Sequence, residues 1–194
     1  MTRATLKTAA KKHIKGNIGI LFVIDLLLGL IVGALNIIPV VGSIASMLLS
    51  SAFTLAVYNI YLNLTNGKKP QVSDLFSKVR EFWPAFCVQF LEGLFTMLWS
   101  LLLLIPGIVK ACAYSQAMYI LRDEPDIKAT EALKRSQEMM KGHKMEFFKL
   151  LLSFFGWALL APFTLGILYI WLLPYMQATF ANYYKYLKGE FVEA

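Results

Sequence analysis

A five-residue pattern, Ser/Thr-x-Ala-x-Tyr, closes three separate hydrophobic runs of this chain. It reads Thr54-Leu55-Ala56-Val57-Tyr58, Ser115-Gln116-Ala117-Met118-Tyr119 and Thr179-Phe180-Ala181-Asn182-Tyr183. The copies are 61 and 64 residues apart (115 − 54 and 179 − 115). Self-similarity at a near-constant period means that one supersecondary unit is built repeatedly. The 194 residues therefore divide into three units, approximately 1–66, 67–123 and 124–194, within one integral-membrane domain.

Each unit has to be stable in lipid. The chain is 58% hydrophobic and only 16% charged, with a mean hydropathy of +0.59. A soluble domain carries about 25% charged residues. Six apolar segments lie at roughly 17–36, 41–64, 84–104, 107–121, 145–162 and 164–187, near the ~20 residues that cross a ~30 Å hydrocarbon core. The fourth is the exception: about fifteen residues reach only ~22 Å as a helix. Proline and glycine break each pair, at Pro39-Val40-Val41-Gly42, Pro106-Gly107 and Pro162-Phe163-Thr164-Leu165-Gly166. Such residues end helices and form tight turns, so each pair reads as a helical hairpin.

An amphipathic stretch leads into each hairpin. The first sets Leu6, Ala9, Ala10 and Ile14 against Lys7, Lys11 and Lys15; the second sets Val72, Leu75, Phe76, Val79 and Phe82-Trp83 against Lys78 and Glu81. The third sets Ala129, Ala132, Leu133, Ser136, Met139 and Met140 against Glu131, Lys134 and Glu138. The i, i+3, i+4, i+7 spacing predicts a helix in each case. The first and third end alike, at Lys15-Gly16-Asn17 and Lys141-Gly142-His143. The expected fold is thus all-α: a polytopic membrane protein with six membrane helices in three hairpins, each preceded by a cytoplasmic amphipathic helix, in pseudo-threefold repeat.

Charge sets the expected topology. Of 19 Lys and Arg, 18 lie in the N-terminal stretch, the 66–83 and 122–149 connections and the tail; Lys110 is the other. The positive-inside rule then puts both termini in the cytoplasm of a multi-pass plasma-membrane protein, with the hairpin tips outside. This accounts for the net charge of +7 without nucleic acid. The basic start before an apolar run has the form of a signal peptide, but Asp25 interrupts that run, and an uncleaved first span is expected. Tyr58, Tyr119, Tyr183 and Trp83 fall where the inner aromatic belt should be, which predicts interfacial anchors.

Further motifs identify a family. Ile105-Pro106-Gly107-Ile108-Val109-Lys110, Tyr114-Ser115, Tyr119-Ile120-Leu121 and Met139-Met140-Lys141-Gly142-His143-Lys144 stand together with Phe155-Gly156-Trp157, Thr164-Leu165-Gly166-Ile167 and Pro174-Tyr175. In these the chain resembles the bacterial integral-membrane family known as domain of unknown function 975, common in Gram-positive bacteria. The resemblance covers nearly the whole chain, most specifically Trp99 to Tyr184. It implies a multi-pass plasma-membrane protein and carries over no activity or catalytic residues.

Three ionisable residues interrupt apolar segments: Asp25, Glu92 and Lys110. Such groups are costly in lipid and face a bundle interior or water. Asp25 lies nine residues after Gly16 and Glu92 eight after Pro84, nearly one position of the repeat, where the third unit has Leu151. Together with Gln89, Gln116, Asn59 and Gln177 they form either an intramembrane polar site or interhelical glue. Lys110 is expected to snorkel outward.

His13 and His143 lack metal-ligand spacing, no nucleotide-binding or hydrolase motif is present, and Cys87 and Cys112 suggest no disulfide framework. The expectation is a non-enzymatic scaffold or accessory protein without cofactor or metal. Its partners would be anionic lipid on the cytoplasmic face (18 basic less 10 acidic residues leaves +8 there) or a membrane protein. The competing expectation is a small transporter or lipid-handling protein using Asp25, Glu92 and Lys110.

Overall fold

The computed structural model describes residues 3–35, 41–102, 104–160, 162–164 and 166–191. Among these there are nine α-helices and no strand. They are α1 (Arg3–Ile14), α2 (Ile18–Leu35), α3 (Val41–Thr65), α4 (Phe82–Leu102), α5 (Leu104–Tyr114), α6 (Ala117–Asp123), α7 (Ala129–Met139), α8 (Lys144–Leu160) and α9 (Ile167–Leu187). Among the described residues, the helical stretches Ser46–Thr65, Val72–Leu101 and Lys144–Thr164 are long and apolar enough to cross a membrane; α1 and α2, bent by 89° at their junction, make a fourth if counted as one span.

The fourth apolar segment is broken. At 11 residues α5 covers about 16 Å, too little to cross a bilayer, and the chain restarts as α6. A side chain from elsewhere enters the ladder. Ser136 of α7 accepts from the Gln116 backbone N–H (3.1 Å) and donates to the Ala113 carbonyl (2.8 Å). Insertion of this kind is an established cause of helix breaks.

The Pro/Gly breaks differ among themselves. The first falls partly on residues 36–40, outside the described residues. The third is a turn as expected: Pro162–Thr164 is a 3₁₀ turn and Gly166 takes φ +82° before α9. The second is not a turn. Pro106-Gly107 lies in the first turn of α5, where a proline's missing N–H costs little. Gly107 instead allows close approach of α4, because a Cβ there would lie 2.9 Å from Ser100 Cα. We expect Gly107→Ala to destabilise the detergent-solubilised protein by about 1–3 kcal/mol, read as a lower midpoint in chemical denaturation.

Of the three leading stretches, the first and third are α-helical. The second forms two short 3₁₀ turns, Val72–Phe76 and Val79–Glu81. Local side-chain bonds compete with an α-helix there: the Gln71 N–H donates to Asp74 Oδ2 (3.0 Å) and Ser77 Oγ to the Asp74 carbonyl (2.6 Å). In the other two, glycine closes the helix in the same conformation, Gly16 at φ +86° and Gly142 at φ +85°. The bonds that follow match as well. Asn17 N–H donates to the Ile14 carbonyl and His143 N–H to that of Met140, at 2.9 and 3.1 Å.

The apolar faces of α1 and α7 are those expected, but protein covers them, whereas Phe76, Phe82 and Trp83 of the second stretch stay exposed. Leu6, Ala9, Ala10 and Ile14 are buried, α1 packing chiefly on α9; Ala132, Leu133 and Ser136 of α7 are buried against α4, α5 and α6. Leu75, in the second, is buried beside α3. The faces of α1 and α7, filled in this way, are not free to lie in a leaflet.

The repeated motif is core. Its first residue bonds a carbonyl one turn upstream in all three copies: Thr54 Oγ1 to Ser50 (2.8 Å), Ser115 Oγ to Cys112 (2.9 Å) and Thr179 Oγ1 to Tyr175 (2.7 Å). The alanines Ala56, Ala117 and Ala181 are each 0% exposed. Tyr119 and Tyr183 are buried too, at 1% and 0%. This corrects the anchor role expected for them, since a ring sealed inside protein cannot sit among headgroups. Tyr119 instead meets Tyr58 of α3 (4.3 Å between ring centroids) and stacks on Tyr184 of α9 (4.9 Å). Trp83 is exposed.

Beyond this stack a polar clasp joins the same three helices. Arg122 of α6 donates to Asn59 Oδ1 (2.9 Å) and Asn63 Oδ1 (2.7 Å) of α3 and to Asp123 Oδ1 (2.9 Å). Asp123 Oδ2 accepts from Tyr184 (2.7 Å) and Lys188 (2.9 Å). Burial alone would raise the Asp123 pKa, but the hydrogen bonds from Arg122, Lys188 and Tyr184 outweigh it and hold the carboxyl below its ordinary value. A depressed folded pKa contributes stability that is present above the unfolded pKa and lost as pH falls through the folded one. The melting temperature should therefore drop below about pH 4, and Asp123→Asn should flatten that drop.

Candidate functional site

Helix α4 carries polar residues at helical spacing: Gln89, Glu92, Thr96 and Ser100. The rest of its outer surface is apolar and exposed, including Phe90, Leu94, Met97, Leu98 and Leu101. The polar residues line a cleft of ≈ 570 Å³, closed on the other side by Thr54 and Tyr58 of α3 and by Ala111 and Met118. Glu92 sits eight residues beyond Pro84, about 12 Å along the helix. Among the described residues no cation pairs with it. The buried Thr96 hydroxyl has no hydrogen-bond partner among them either. A carboxylate flanked by hydroxyls and an amide, with no cation of its own, can accept hydrogen bonds from a bound ammonium group.

The other two ionisable residues are elsewhere. Asp25 of α2 is half-buried within electrostatic range of Tyr61, whereas Glu92 is within range of Tyr58. Lys110 does not snorkel away from the basic connections. Its Nζ donates to Gln137 Oε1 of α7 at 3.2 Å and lies over the Trp99 ring at 4.9 Å. It thereby joins the 122–149 connection, which already carries seven basic residues. Of Asp25, Glu92 and Lys110, Glu92 alone lines the cleft. Thr96 and Ser100, absent from the expected polar site, belong to it; their signal was the four-residue spacing from Glu92.

His143 Nδ1 is 3.1 Å from Glu146 Oε2 in the first turn of α8, where an acid is favoured by the helix dipole. Among the described residues no group of three or more His, Cys, Asp or Glu could hold a metal ion. Cys87 and Cys112 are free thiols.

The fold and the cleft define a class: an all-helical protein with several helices fit to cross a membrane and a polar recess cut into one of them. More particularly, the chain belongs to the family described as Protein of unknown function (DUF975), which matches residues 1–113 and 101–190. No curated protein and no solved structure is significantly similar to it.

Proposed function

We propose that this is a non-enzymatic, multi-pass membrane protein that acts on lipid, and that the Glu92 cleft seats the ammonium group of a lipid headgroup. The observation that carries this reading is an unpaired carboxylate in a polar recess on an otherwise apolar helix face. A charge so placed is costly in hydrocarbon; a bound ammonium offsets that cost with a charge-assisted hydrogen bond. Asp25 and Lys110 take no part. The wider arrangement in this proposal is three pseudo-equivalent units at the plasma membrane. α2 with α3, α4 with α5–α6 and α8 with α9 are the hairpins, and both termini face the cytoplasm. Two observations support it: the matched glycine closures at Gly16 and Gly142, and the contact of Lys110 with the basic connection.

The test is lipid retention. Protein reconstituted in equal phosphatidylethanolamine and phosphatidylglycerol is extracted, and bound lipid is read by native mass spectrometry. The wild type should favour phosphatidylethanolamine, and Glu92→Gln should reduce that preference roughly tenfold, the worth of one hydrogen bond to a charged group. Asp25→Asn should leave it unchanged. Equal preference in wild type and Glu92→Gln overturns the reading.

A further inference from the structure

A second recess lies at the basic end of the bundle, remote in chemistry from the Glu92 cleft. Two stretches far apart in sequence form it, the end of α1 with its glycine turn and the turn after α3. Its volume is ≈ 270 Å³, and Lys12, His13, Lys15, Lys68 and Lys69 line it together with Asn17. No acid contributes. Apart from Asp25 within α2, the first 73 residues contain no Asp or Glu. Among the described residues none of these four lysines is in an ion pair.

The fold holds this cation cluster in place. Gly16 and Gly67 turn the chain with positive φ, and Lys68 N–H donates to the Asn63 carbonyl at 3.0 Å. Lys185 of α9 braces the second turn through the Thr65 carbonyl (3.2 Å) and Asn66 Oδ1 (2.8 Å), adding a fifth amine nearby. His13 registers the crowding. Burial first, then Lys185 and Lys12, hold its pKa below the ordinary value. Assembling like charges without a counter-charge opposes folding, and an anion bound only by the folded state reverses that.

We propose that Lys12, Lys15, Lys68 and Lys69, with His13, form a binding site for a phosphate-bearing anion. Lysine is a compact point charge suited to phosphate, and basic recesses among membrane helices take phospholipid headgroups. The same chemistry would accept a soluble polyphosphate. The site does not depend on the Glu92 reading.

The experiment uses the full chain in detergent and measures melting temperature with three additions: phosphatidylglycerol in mixed micelles, phosphatidylcholine in mixed micelles, and sodium pyrophosphate alone. Phosphatidylglycerol should raise the wild-type melting temperature by roughly 5 °C or more at about a hundredfold excess over Kd, relative to phosphatidylcholine. The quadruple variant Lys12→Gln/Lys15→Gln/Lys68→Gln/Lys69→Gln should lose most of that shift. The charge-matched control Lys128→Gln/Lys134→Gln/Lys141→Gln/Lys149→Gln should keep it. A shift with pyrophosphate that the site variant abolishes also supports the site and makes its source soluble. Equal loss in the control, or no selective shift with either anion, overturns the proposal. Should the quadruple variant fail to fold, Lys68→Gln/Lys69→Gln, on an exposed turn, replaces it under the same criteria.

Discussion

Replacing Tyr119 by alanine should lower the stability of the solubilised protein by about 3–5 kcal/mol, the usual cost of deleting a buried aromatic ring. For a chain of this size that is a fall in melting temperature of roughly 10 °C. The ring is 1% exposed and sits between Tyr58 and Tyr184, so its loss uncouples α3, α6 and α9 at one point. Tyr119→Phe should behave differently. The hydroxyl is buried with no partner among the described residues, so it contributes a desolvation cost and no bond; phenylalanine should be neutral or stabilising. Tyr183→Phe, by contrast, removes a bond to the His143 carbonyl (3.2 Å) and should cost about 1 kcal/mol. Thermal melts of the three variants would check this. A Tyr119→Phe protein as unstable as Tyr119→Ala would show that the hydroxyl, not the ring, holds the core.

Arg122→Ala should cost about 3 kcal/mol, the lower end for breaking a largely buried pair. The guanidinium serves Asn59, Asn63 and Asp123 at once while only 20% exposed, and its removal takes the donor from Asn63 Oδ1 and Asp123 Oδ1 and leaves Asn59 Oδ1 with Asn63 Nδ2 (3.3 Å). Lysine at this position should recover less than half, because an ammonium cannot span the two asparagines with a rigid fork. Asn59→Ala combined with Arg122→Ala should destabilise by less than the sum of the single changes, since both break one network. Additive losses in denaturant midpoints would show that these contacts are independent.

These two sites mark how far the sequence could be read. Periodicity in α1 named Leu6, Ala9, Ala10 and Ile14, and these are the residues buried. Periodicity reports which face is apolar; it does not say whether lipid or protein covers it, and α9 lies more than 150 residues away. The break between α5 and α6 was hidden for a similar reason. Nothing within Tyr114-Ser115-Gln116 disfavours a helix as proline would; the hydroxyl that interrupts the ladder arrives from Ser136, twenty residues on. Pro106-Gly107 misled in the opposite sense, since a proline tolerated in a first turn and a glycine needed for helix contact look the same as a turn. In the cleft, Glu92 was legible as a charge in an apolar run. That Asp25 does not line the same cleft was not, because equal depth along two helices leaves their rotation undetermined.

The docking of α1 on α9 also bears on biogenesis. Asn182 Nδ2 reaches the Leu6 carbonyl across 176 positions of sequence. A ribosome adding 5–20 residues per second needs roughly 9–35 s to cover that distance. Throughout that interval the first helix is made but its receptor is not, and its apolar face must be sheltered by the bilayer or by the insertion machinery. Docking of the N-terminal helix, rather than its formation, thus signals that α9 has been delivered, and nascent chains stalled before α9 would display an unclaimed amphipathic segment to membrane quality control.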